Sequence, residues 1–284
     1  MQWSGGLPYW SVLPRERARF EDTCQQFEPG IGAGSHWCPA LRETLWPGLP
    51  RRPRIAGGFM GLFQSLGDNC EFGMAQRWAR EENLDLMRFA SFWIPVEDRL
   101  RETIRALTDG FSGLGDPDSV TLEPRGEKYP REYVLRETRW NLSLHTGAHE
   151  SGIDAELIRR RQIRALQFRR RKLLEDLETA HRVFVWKCNL PTSERDIRDL
   201  VACLRRYGPN LLLWVSVADE GHPAGFVEYA GDGLLKGYVA RFATYDDATD
   251  ADFMSWNEMC RNAAAKAEDL RRAGEWSSPG ALAG

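Results

Sequence analysis

From residue 58 onward, apolar and polar positions fall into two recurring periods. GFMGLFQSL (58–66) is a short apolar run ended by Gly67, which predicts a buried strand. Asp68 or Asn69 can cap the helix that follows through CEFGMAQRWAREE. Leu86 to Phe89 reads as another short strand. Val96, Leu100, Ile104 and Leu107 recur at spacings of four, four and three, which predicts an amphipathic helix. Residues 110–130 are turn-rich. Tyr133–Leu135 and Trp140–His145 read as strands that pair with each other. A long helix is predicted from Asp154, its N-cap, to Ala180, with a core stripe of Ile163, Leu166, Leu173 and Leu177.

The clearest βαβ pattern comes next. Arg182–Lys187 is an apolar strand. Ser193 caps a helix whose inner face is Ile197, Leu200, Val201 and Leu204. Gly208-Pro209 ends that helix, and Leu211–Val217 is apolar throughout. Two such strands joined by one helix predict parallel neighbours with a right-handed crossover. Phe226–Tyr229 and Leu234–Phe242 flank Gly231-Asp232-Gly233, a hairpin signature. A last helix runs from about Asp250 to Ala273, with Phe253, Trp256 and Met259 on one face. The predicted fold is α/β: a three-layer domain with a mixed, largely parallel sheet flanked by helices.

Residues 1–56 carry many Gly, Pro and Trp residues without a steady period, and are expected to be a poorly ordered arm. Residues 57–273 make one domain and 274–284 a flexible tail. A chain of 284 residues, 42% hydrophobic and 28% charged, is ordinary for a globular protein. The net charge of −3 gives no bulk attraction to nucleic acid or anionic lipid. No apolar run approaches the about 20 residues of a membrane span. The first residues have no basic stretch followed by an apolar one, so no secretory leader is expected. The six cysteines form no CxxC pair and no zinc-ligand spacing, which predicts free thiols in a reducing, cytoplasmic setting.

The densest chemistry lies in Phe63–Gly73. A strand enters a glycine turn, and Cys70 follows in the first helical turn. Free amide N–H groups and the helix dipole favour an anion there, so Cys70 is a nucleophile candidate and Asn69 lies beside it. The same amides can hold an oxyanion. Asp68, two residues away, opposes a thiolate. The ordinary alternative is a buried cysteine behind a helix cap. Among the five histidines, His145 is favoured as base because it ends a predicted strand. His149 and His222 are the alternatives, His222 lying in a loop after an apolar strand. His36 falls in the arm, and His181 reads as structural.

Ser65-Leu66-Gly67-Asp68-Asn69-Cys70, the helix after it and Leu86-Met87-Arg88-Phe89 resemble a bacterial family of papain-like cysteine peptidases whose function is not established. The resemblance extends over His145, Arg169–Lys172, Val183–Lys187 and Leu211–Trp214, or roughly residues 59–265. It implies Cys70 as nucleophile and a downstream histidine as base. Gln64, six residues before Cys70, stands at the offset where papain-type enzymes place an oxyanion glutamine. Asp219 and Asn257 both qualify as the orienting residue. Modules of this kind occur beside surface-polysaccharide and glycosyltransferase genes. The element order departs from papain and is closer to flavodoxin-like hydrolases, whose Gly-Asp-Ser turn is similar to Gly67-Asp68-Asn69-Cys70.

The expected function is therefore a cysteine hydrolase or acyl-transfer enzyme acting on an unknown peptide, acyl or glycan-linked substrate, with no cofactor and no metal. The alternatives are a non-catalytic α/β module in surface-polysaccharide assembly and a metal-dependent glycosyltransferase using Asp246, Asp247, Asp250 and Asp252. For those aspartates a solvated loop is the simpler expectation, with Asp250 as the helix cap. Eight basic residues between Arg159 and Lys172 make a solvated face balanced by Glu175, Asp176 and Glu178. No interleaved aromatic platform points to nucleic acid. Trp78, Trp93, Trp140, Trp186, Trp214 and Trp256 are expected in the core.

Overall fold

The structure, a computed structural model, describes residues 58–81, 93–127, 129–150, 154–245 and 247–276. The N-terminal arm, the strand expected at Leu86–Phe89, and His36, Cys24, Cys38 and Asp246 lie outside the described residues. In chain order the elements are β1 (Phe63–Gly67), α1 (Glu71–Trp78), α2 (Arg99–Thr108), β2 (Val120–Arg125), β3 (Glu132–Glu137), β4 (Leu142–His149), α3 (Ala155–Thr179), β5 (Val183–Lys187), α4 (Glu194–Arg205), β6 (Leu211–Val217), β7 (Val227–Tyr229), β8 (Leu234–Val239) and α5 (Phe253–Arg272). Single 3-10 turns precede β1, α2 and β2.

The apolar runs become one sheet in the order β1-β5-β6-β8-β7. Its first four strands are parallel, and β7 returns antiparallel to β8. Strand side chains point alternately to the two faces. Phe184 and Trp186 join Leu66, Leu212 and Leu234 in a core under α2, α3 and α4. Val183 and Val185 join Phe63, Leu213 and Leu235 in a second core under α1 and α5. Both faces are covered, which is why these strands are apolar at nearly every position. The α/β architecture with a mixed, mostly parallel sheet flanked by helices is thus present. The predicted stripes of α3 and α4 are buried, and Asp154 and Ser193 cap those helices through their side chains. The β7–β8 turn places Gly231, Asp232 and Gly233 all at positive φ, between 53° and 86°, where glycine is the unstrained choice.

Three departures have physical reasons. The turn-rich stretch 110–130 contains β2, which pairs with β3 along its whole length although it carries Pro124. β2 is an edge strand, where a missing N–H is tolerated. Second, β2, β3 and β4 form a separate antiparallel sheet and do not join the parallel one. Third, the cap of α5 is Asp252, whose carboxylate accepts from Ser255 N; Asp250 instead pairs with Arg241 at 2.9 Å. Trp276, within the expected tail, is buried against the α5 core with Arg271 over its ring. No described helix is long and apolar enough to cross a membrane.

Candidate functional site

Parallel strands bring their carboxyl ends to one edge, where α/β folds carry their sites. At that edge β1 stops at Gly67, whose φ is +140°. A Cβ there would lie 2.8 Å from Trp186 Cζ3, so the backbone rests directly on that indole. Sheet pairing extends one residue further, with Asp68 N donating to Lys187 O at 3.0 Å. Asn69 Oδ1 then accepts from Glu71 N at 3.0 Å, satisfying one orphan amide of the helix. Cys70 is the N-cap of α1 and is half-buried.

Asp68 and Glu71, which flank Cys70 in the chain, belong to a buried ionic cluster. Asp68 faces Arg99 Nη1 at 3.4 Å and Lys187 Nζ at 3.5 Å, and accepts a hydrogen bond from Tyr245 Oη. Glu71 faces Lys187 Nζ at 2.9 Å and accepts from Trp256 Nε1 at 2.8 Å. Lys187 also donates to Asn189 Oδ1 at 2.6 Å and stands 4.9 Å over the Phe242 ring. Two carboxylates meet two cations, so the cluster is neutral. Asp68 therefore stands against Arg99 and Lys187 and not alone beside the Cys70 turn, although its Oδ1 accepts no hydrogen bond among the described residues. Burial lowers the Arg77 guanidinium from its usual range, while the Cys70 sulfur acts in the opposite sense.

Two further groups border the cluster. Burial, then the hydrogen bond to Asp68, pushes the Tyr245 phenol far above its usual range, keeping it a neutral donor. Cys188 Sγ lies 3.8 Å from Tyr245 Oη, and burial followed by the Asp68 charge pushes its thiol up. A crevice of about 10 Å³ is walled by Asp68, Arg99 and Glu102 and by apolar side chains including Leu66, Phe111 and Trp186.

The sequence-predicted residues divide between the two sheets. Gln64 lies inside β1, with its amide donating to Ser65 O at 3.0 Å. Asn69 is buried beside Cys70, and its Nδ2 has no hydrogen-bond partner among the described residues. His145 sits on β4 of the small sheet, opposite Val134, with Nδ1 2.9 Å from Glu132 Oε2. Burial pushes the Glu132 carboxyl up, but the bond to His145 and that histidine's charge bring it below its usual range. His149 ends the same strand. His222 lies at the parallel sheet's carboxyl edge, its Nδ1 2.8 Å from Asp219 Oδ1 and its ring stacked on Tyr238 at 4.4 Å. Asn257 is buried on α5. His181 faces the buried Asp176 at 3.3 Å, as a structural residue would. Asp247 bonds Thr249 in its own loop, and among the described residues no group of three or more His, Cys, Asp or Glu could hold a metal ion. In the basic helix, Arg159 and Arg160 pair with Glu156 and Lys172 with Asp176.

Sequence reasoning missed Arg99, Lys187, Glu71 and Tyr245. Only Lys187 left a signal: a lysine closing the apolar run Val183–Trp186 must find buried partners. No protein-family model, curated protein or solved structure matches the chain.

Proposed function

We propose that the chain is a cysteine-nucleophile hydrolase or acyl-transfer enzyme. The observation that supports this reading is the half-exposed Cys70 at the start of α1, at the carboxyl edge of the parallel sheet, with the neighbouring Asp68 held against Arg99 and Lys187. The thiolate adds to an acyl carbon and forms a C–S bond. The bond to the leaving group breaks, and that group takes a proton from an imidazolium. Water or another acceptor then loses its proton to the imidazole and attacks the thioester carbon; the C–S bond breaks, the acyl product leaves, and the thiolate and imidazolium are restored. Asn69 Nδ2 supplies a donor toward the oxyanion. His145, its ring fixed through Nδ1 by Glu132, is the base in this reading; His222, fixed in the same way by Asp219, is its competitor.

The test is alkylation by iodoacetamide across pH, followed at each cysteine by mass spectrometry. Cys70 is expected to react at about pH 6 at least about tenfold faster than glutathione, as lowered-pKa thiols do. Replacement of the true base flattens its pH profile. A Cys70 rate no greater than that of glutathione at every pH overturns the enzymatic reading and leaves a non-catalytic α/β module.

A further inference from the structure

The helix α3 buries Ile158, Ile163, Leu166, Leu173 and Leu177 on its inner side. Helical spacing puts Leu157, Arg161, Arg164, Phe168 and Arg171 on one line along the opposite side. All five are exposed, and Leu157 and Phe168 each show 40% of their surface. From Leu157 to Arg171 the line is about 21 Å long. No residue of α3 in that stretch is acidic. The basic residues beside the line are engaged: Arg159 and Arg160 with Glu156, Lys172 with Asp176, and Arg170 with Gly110 O. Arg161, Arg164 and Arg171 have no side-chain hydrogen bond or ion pair among the described residues. Asp176, expected to balance this face, is buried and turned toward Lys172, His181 and Arg182. The outer line is therefore cationic, with two apolar side chains set among its charges.

We propose that this outer line of α3 is a docking surface for an anionic lipid bilayer. Arginine forks match lipid phosphates, and Phe168 and Leu157 enter the boundary between headgroups and acyl chains. Exposed apolar and basic side chains on one helix make the chemistry of an interfacial contact. The net charge of −3 does not oppose it, because charges beyond about 8 Å are screened at physiological salt and the bilayer meets the local arginines. A nucleic-acid strand fits less well, since Phe168 is the single aromatic side chain on the line and offers no series of stacking platforms. The surface uses no residue of the Cys70 turn.

Co-sedimentation of the full chain with sucrose-loaded vesicles tests it. One set is phosphatidylcholine alone, and the other is phosphatidylcholine with phosphatidylglycerol at about two to one. Binding to the anionic set is expected to be about a hundredfold tighter, since each arginine near a charged surface contributes about fivefold. Salt at about 0.5 M should remove the preference. The triple variant Arg161→Gln, Arg164→Gln, Arg171→Gln should bind the two sets alike, and lysine at the same three positions should retain most of the preference. Phe168→Ser should weaken binding at least about fivefold and leave the salt dependence in place. Arg271→Gln with Arg272→Gln removes exposed charge from α5, on the other side of the sheet, and should leave binding within about twofold. All these positions are exposed, and circular dichroism checks that each variant is folded. Equal sedimentation of the wild-type protein with both sets overturns the proposal, as does a preference that survives in the triple glutamine variant. Binding to polyglutamate as tight as to the anionic vesicles, and unaltered by Phe168→Ser, gives the line to an acidic macromolecule and overturns the lipid assignment.

Discussion

Replacing Lys187 by Met tests the ionic cluster that supports the Cys70 turn. Methionine keeps the length of the side chain and removes the charge. Lys187 Nζ lies 2.9 Å from Glu71 and 3.5 Å from Asp68, and all three side chains are essentially inaccessible to water. In the variant Asp68 keeps Arg99 at 3.4 Å. Glu71 keeps the hydrogen bond from Trp256 Nε1 but no cation. Removing one partner of a buried pair costs about 3–5 kcal/mol, because the remaining charge has neither water nor counter-ion. At roughly 2–4 °C per kcal/mol for a domain of this size, the melting temperature should fall by about 6–20 °C. Urea unfolding at neutral pH, followed by far-UV circular dichroism and tryptophan fluorescence, measures the loss. The double variant Lys187→Met with Glu71→Gln should regain more than about 1 kcal/mol, since the amide oxygen still accepts from Trp256 and no charge remains. A single variant within about 0.5 kcal/mol of wild type, or a double variant no more stable than the single, refutes the reasoning.

Gly67→Ala places a Cβ 2.8 Å from the Trp186 ring at a φ of +140°, and should cost about 1–3 kcal/mol while slowing alkylation of Cys70; an unchanged urea midpoint would count against the close approach. Burial raises the Glu137 carboxyl above its usual range, and its Oε1 has no hydrogen-bond partner among the described residues. Because the folded-state value lies above the unfolded one, the stability contributed by the protonated form is complete below about pH 4.3 and is lost as pH rises through the folded value. Glu137→Gln, which still offers an oxygen to Trp140 N, should therefore gain on wild type as pH is raised from about 4 to 7; parallel pH curves for the two proteins would refute this.

Much of the fold was legible because burial on both faces leaves little freedom in composition. The strands Val183–Lys187 and Leu211–Val217 are apolar runs joined by one amphipathic helix, and the structure pairs them in parallel. The α3 and α4 stripes were readable for the related reason that one helix face must meet the sheet. β2 was not legible, since an edge strand tolerates the proline and polar residues that mark turns elsewhere. In the site, the sequence alone placed Cys70 at a helix start after a strand, because a glycine turn and a capping asparagine are local signals.

The sequence by itself thus determined the elements, their buried faces and the position of the sulfur at the head of α1. The tertiary structure decided which strands share a sheet, setting β1 beside β5 and assigning β4 to a separate sheet. It also decided the electrical surroundings of the turn, since Asp68 looks repulsive in the linear chain and meets its counter-charges only when Arg99 and Lys187 arrive from distant elements. Hydrophobic periodicity is a short-range property of the chain, whereas the field at a point sums charges over space without regard to their order in sequence.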